Sequence, residues 1–163
     1  MKKMQQALNG FTLIELMIVV AIVAFLSMIS VPSFMRFLSK AKRAEAYMNL
    51  GSLYIAQKAY HAEHGKYSTL LNGPGGVGWK PEGYTTGGSN ERFYYTYGFS
   101  GGQEGQSYFT GKLNTPASDL QQTQAGQDSF VAAAAGDIDG DGKADVLTVN
   151  QFNDIKIVQD DLA

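Results

Sequence analysis

The feature that most constrains this chain is the run Phe11–Val31, FTLIELMIVVAIVAFLSMISV, which carries one charge, Glu15. At 1.5 Å of rise per residue, about 20 apolar residues span the hydrocarbon of a bilayer as a helix. A helix apolar on every side is not stable in water alone, so it must be covered by lipid or by other helices. A removable secretory signal would have a shorter apolar stretch and a small-x-small cleavage site after it. Here Pro32 follows instead, then a basic and helix-compatible stretch.

The helical pattern continues past the apolar run. Apolar or small residues recur at Phe34, Phe37, Ala41, Ala44, Met48, Gly51, Ile55, Ala59 and Ala62, in steps of three and four. The spacing predicts one helix from Phe11 to about Glu63, roughly 80 Å long. Its first half is apolar all round, and its second half is amphipathic and docks by that stripe on its own domain. Pro32 lacks an N–H and should kink or loosen the helix over Met28–Val31. Gly65 is the expected stop.

Charge is unevenly placed although the net value is only −2. Lys2 and Lys3 precede the apolar run, a cluster of basic residues follows it, and acids dominate after Tyr67. That order suits a chain meeting a membrane at one end. It gives no general nucleic-acid surface, and the aromatic stretch around Tyr94, Tyr95 and Tyr97 lacks the basic patch that base stacking would need.

Strands are predicted at Arg92–Phe99, Ser107–Leu113, Ser129–Gly136, Val146–Val149 and Ile155–Gln159, each rich in aromatic or β-branched residues or bounded by turn residues. The expected fold is α+β: a long N-terminal helix, with an apolar protruding half and an amphipathic docked half, packed on a small antiparallel sheet.

The acidic stretch Asp137-Ile138-Asp139-Gly140-Asp141-Gly142-Lys143-Ala144-Asp145 places carboxylates at alternate positions of a glycine turn. Oxygens so spaced can converge on calcium, a hard cation taking six to eight oxygen ligands. The expected donors are Asp137, Asp139, Asp141, the Lys143 carbonyl and Asp145, with the remainder from Asp160, Asp161, Asn150 or water. Thr148 stands where an EF-hand has its bidentate glutamate, so this is not an EF-hand. His61 and His64 suit the end of a helix rather than a metal site. No P-loop, HExxH or Ser-His-Asp context occurs, and a non-enzyme is expected.

Lys2, Lys3, Gly10-Phe11-Thr12-Leu13-Ile14-Glu15, Met17–Ile22 and Pro32 together resemble the cleavage and methylation motif of type IV pilins and type II secretion pseudopilins, over about the first 60 residues. The resemblance implies a cut by prepilin peptidase between Gly10 and Phe11, and methylation of the new amino terminus at Phe11. It implies three parts: a leader over 1–10, a transmembrane and filament-core helix over 11–33, and a globular domain over 34–163 with the acidic loop at 137–145. Glu15 would pair with the Phe11 ammonium of a neighbouring subunit, because a carboxylate in hydrocarbon costs about 2.5–3.5 kcal/mol alone. The implied protein is a type IV pilus subunit, held in the inner membrane and then polymerised by the assembly machinery into a surface filament of like subunits. The alternatives are a type II secretion pseudopilin and, more distantly, a membrane-anchored calcium-dependent binding domain that does not polymerise.

Overall fold

A computed structural model describes residues 10–162 of the 163. Lys2 and Lys3, and the rest of the expected leader over residues 1–9, lie outside the described residues.

Helix α1 runs from Leu13 to His64. Thr12 and Glu15 start it as a capping box: the Thr12 N–H and hydroxyl each donate to Glu15 Oε2 at 2.9 Å, and the Glu15 N–H donates to Thr12 Oγ1 at 3.2 Å. Gly65 ends it with φ +68°, its N–H donating to the His61 carbonyl at 2.8 Å. That left-handed position costs a glycine nothing.

The chain forms two compact units, one up to Phe37 and one from Leu38 onward. In the first, every residue from Phe11 to Phe37 is exposed, including Ile14, Met17, Phe25, Met28 and Phe34. This unit contains the one helical stretch among the described residues that is long and apolar enough to cross a membrane.

In the second unit the helix packs on a six-stranded antiparallel sheet. The strands are β1 (Thr96–Gly98), β2 (Tyr108–Phe109), β3 (Gln124–Ala125), β4 (Phe130–Gly136), β5 (Asp145–Asn150) and β6 (Ile155–Gln159). Their order is β2-β1-β4-β5-β6, and β3 shares one edge of β4 with β1. The register sets Thr96 opposite Ala135, and Gly136 opposite Asp145. Alternation along β4 divides its alanines: Ala132 and Ala134 join the helix-side core, whereas Ala133 and Ala135 pack with Leu120 and Val146. The expected α+β fold is thus observed, with β1 and β2 shorter than expected, β5 longer and β6 at its expected bounds. Residues 92–95 precede β1 rather than extend it, and the two-residue β3 carries too little pattern to be read from sequence.

The helix docks by a different stripe from the one its apolar residues mark. Buried positions are Ser39, Ala46, Leu50, Leu53, Gln57 and Tyr60. Phe34, Phe37, Ala41, Ala44, Met48, Ile55, Ala59 and Ala62 are exposed. The polar members of the buried stripe each meet a fixed partner. Ser39 Oγ donates to the Ile138 carbonyl at 3.2 Å, and Gln57 Nε2 donates to the Ser68 carbonyl at 2.6 Å. A satisfied polar group can be buried at modest cost.

Over the helix and sheet lies the glycine-rich stretch around Trp79. The Trp79 ring packs edge-on to Tyr97 and Phe109, and its indole N–H donates to Ser52 Oγ at 2.9 Å. Glu91, 3% exposed, organises a second loop. Its Oε1 accepts from the N–H groups of Thr85, Thr86 and Gly87 and from the Thr85 hydroxyl, at 2.7 to 3.0 Å.

Candidate assembly helix and acidic loop

Two sets of residues carry chemistry beyond packing. The first is the start of α1. Glu15 holds the N-terminus of its own helix through Thr12, an arrangement that satisfies the carboxylate within one chain. The T-x-x-E spacing that makes this cap is visible in sequence as Thr12-Leu13-Ile14-Glu15. Pro32 lies inside α1, which runs as one helix from Leu13 to His64 although Pro32 has no N–H to give the Met28 carbonyl. Nearby, Ser27 Oγ donates to the Val23 carbonyl at 2.8 Å, a local bond of the kind that bends helices.

The second is the loop between β4 and β5. Asp137 closes it, accepting from Gly140 N–H at 2.7 Å and Gly142 N–H at 3.0 Å. Gly140 and Gly142 have φ of +87° and +91°, which other residues adopt only with strain. Asp139 accepts from the Asp141 N–H, and Asp141 from the Lys143 N–H. One carboxylate oxygen from each of Asp137, Asp139, Asp141 and Asp161 lies within 4.8 Å of the others.

Asp145 is turned elsewhere. It is fully buried, accepts two hydrogen bonds from Arg43 and receives the Tyr95 hydroxyl at 2.6 Å. Burial and the Asp145 carboxylate together push the Tyr95 phenol far above its ordinary value, so it remains a donor. Asp160 also pairs with Arg43. Asp161 instead enters the acidic group, 7% exposed; its Oδ2 accepts from the Ile138 N–H at 3.0 Å, and its buried Oδ1 has no well-formed hydrogen bond among the described residues, with the Asp139 backbone nearby. Burial, more than the nearby Asp139 and Asp141, raises its pKa above the ordinary aspartate value. Sequence named Asp161 only as one of several supplementary donors, because its approach depends on the β5–β6 hairpin.

His61 and His64 both engage protein groups. Their rings stack on Tyr67 and Tyr60 at centroid distances of 4.3 and 4.1 Å, and each ring has a nitrogen within hydrogen-bonding distance of a backbone carbonyl.

Residues 9–31 match the model of the prokaryotic N-terminal methylation motif. The chain is 48% identical over 74 residues to the type IV major pilin protein PilA of Myxococcus xanthus, a match covering 45% of this chain and 32% of that protein. It is 37% identical over 69 residues to prepilin peptidase-dependent protein D of Escherichia coli, covering 42% and 47%. It is 36% identical over 62 residues to the fimbrial protein EcpC of Eikenella corrodens, covering 38% and 40%. The chain therefore spans about a third to a half of the length of these relatives.

Proposed function

We propose that the chain, whose residues 9–31 match the prokaryotic N-terminal methylation motif and which is similar over 74 residues to a type IV major pilin, is a structural subunit of a type IV pilus. The observation that carries the reading is the exposed face of α1. Every residue from Phe11 to Phe37 is exposed, and Met48 and Ile55 remain 71% and 67% exposed well beyond the apolar run. A bilayer covers about 20 residues of helix. Apolar surface extending past that length needs protein to cover it, and helices of like subunits supply a matching surface.

In this reading prepilin peptidase cuts between Gly10 and Phe11, and Phe11 becomes the methylated amino terminus. The cut removes Lys2 and Lys3, which hold the precursor at the cytoplasmic face. The subunit waits in the inner membrane as a pool and is then drawn by the assembly machinery into a surface filament. Glu15 exchanges part of its bonding to Thr12 for the Phe11 ammonium of a neighbour, which sets the axial register. Pro32 loosens the helix where it leaves the bilayer. The role is structural rather than catalytic.

A pseudopilin of a type II secretion system is the second reading, and the likeness to prepilin peptidase-dependent protein D leaves it open. Electron microscopy of material sheared from cells, with intact mass of its subunit, tests the proposal. Surface filaments built of a chain starting at methylated Phe11 support it. A mature chain with the Gly10–Phe11 bond intact, or cells without filaments, overturns it.

A further inference from the structure

We propose that the sheet unit carries a head-to-tail contact between copies of this chain, in which Phe152 of one subunit seats in a hollow beside Pro116 of the next. The proposal rests on the filament reading and adds to it a contact made by the sheet rather than by α1.

Phe152 stands at the tip of the β5–β6 hairpin and is 77% exposed. The turn that carries it is closed by its own hydrogen bonds. Asn150 Oδ1 accepts from the N–H groups of Phe152 and Asp154 at 3.0 and 3.1 Å, and the Asn153 N–H donates to the Asn150 carbonyl at 3.0 Å. An aromatic ring on an ordered turn loses little freedom on binding, which suits it as an anchor.

The hollow lies at the other end of the same strand. β5 runs from Asp145, opposite Gly136, to Asn150, opposite Val131. At the Asp145 end, Leu113, Pro116 and Ala144 line a cavity of about 160 Å³ together with Asp119 and Asp137. A cavity of about 150 Å³ holds a benzene molecule, so the hollow admits the Phe152 ring. The three apolar side chains offer it walls, and the positive edge of an aromatic ring suits the carboxylates. Charge matches as well. The hairpin brings Lys156, whose side chain is 68% exposed, and neither Asp119 nor Asp137 has a cation within ion-pairing distance among the described residues.

Placement sets the direction of the contact. At the hollow end of β5, Arg43 meets Asp145. At the knob end, the turn before β4 brings the Gln127 carbonyl to 3.1 Å from His61 Nε2. Knob and hollow are therefore displaced along the docked part of α1. In copies whose helices run parallel, the knob of one meets the hollow of the next, and the contact repeats along a line instead of closing on a pair.

The chain has no cysteine, so cysteines can be introduced singly or as a pair. In sheared filaments of the double variant Phe152→Cys with Pro116→Cys, a short bis-maleimide linker should join subunits into a ladder of dimers, trimers and longer species, and either single variant should stay monomeric. Phe152→Ser should melt as wild type when the intact chain is held unassembled in micelles, since its ring lies in solvent there. In cells producing only this variant, filaments should be absent or should break under shear into pieces several-fold shorter, and Phe152→Leu should recover part of the length. Double-variant filaments that yield no ladder overturn the contact and leave the filament reading standing. Dimers without longer species, or cross-linking of Phe152→Cys alone, overturn its head-to-tail sense. Phe152→Ser filaments as long as wild type overturn the role of the ring, and wild-type cells without filaments overturn both readings.

Discussion

Arg43 and Asp145, 102 residues apart, face each other as a two-pronged ion pair, Nε to Oδ2 at 2.9 Å and Nη2 to Oδ1 at 2.6 Å. The Asp145 side chain is wholly buried and that of Arg43 is 14% exposed, so the pair joins helix to sheet away from bulk water. Arg43→Ala leaves a buried carboxylate without its counter-charge, and a loss of about 3–5 kcal/mol is expected. Lys156→Ala, which removes a partner from the exposed Lys156–Asp154 pair, should cost about 1 kcal/mol or less. Urea unfolding of the chain in micelles, followed by the fluorescence of the single tryptophan, Trp79, measures both.

Glu91 predicts a pH dependence. Burial pushes its pKa up, but hydrogen bonds from Thr85, Gly87 and Thr86 outweigh that and hold it below the ordinary glutamate value. A lowered native value means that the unfolded chain binds the proton more readily. The stabilisation is full above the unfolded value of about 4.3 and is lost as pH falls through the lowered native value. Glu91→Gln should therefore cost about 1.5–3 kcal/mol at neutral pH. The gap from wild type should narrow below pH about 4. Unfolding curves of both proteins between neutral and acidic pH decide it; a gap independent of pH would count against the argument.

The two roles of Glu15 separate by substitution. Glutamine serves in a capping box as glutamate does, so Glu15→Gln should leave the helix start intact yet remove the charge that pairs with a neighbouring ammonium. Filament yield should fall sharply in cells producing only this variant. Thr12→Val removes the side-chain cap and keeps the charge, and filaments should persist. The reverse pattern would make the cap, not the charge, the assembly determinant.

Two glycines should respond oppositely to alanine. At Gly98, φ is +127° and an added Cβ would lie 2.3 Å from the Ser107 carbonyl oxygen and 2.9 Å from Tyr108 Cα. Gly98→Ala should destabilise by about 2–4 kcal/mol, since β1 must part from β2. At Gly51 in the helix nothing lies within 4 Å of the added carbon, and Gly51→Ala should stabilise by about 0.5–1 kcal/mol. Thermal melts of the two variants provide the comparison.

Sequence legibility followed the range of the interactions. The long helix, its stop at Gly65 and the strands β5 and β6 rest on local pattern, and all were readable, though not the pairing of the two strands. The docking stripe was not. The most regular apolar spacing, Phe34 through Ile55, belongs to the exposed side, and the buried side includes Ser39 and Gln57, whose burial depends on Ile138 and Ser68. The acidic loop was legible as a glycine turn with alternating carboxylates. The separate placements of Asp145 and Asp161 were not, because Arg43, Tyr95 and the segment after β6 come together only in the folded chain.

The Arg43–Asp145 pair also has a consequence in time. During synthesis at about 5–20 residues per second, roughly 5–20 s pass between the making of its first member and its second. Throughout that interval the cover of Leu50 and Leu53 is incomplete, because the core they join includes Leu147 and Val149 of β5. The nascent helix therefore meets the surrounding solvent and proteins with two apolar sides, one covered later by its own chain and one that its own fold leaves open.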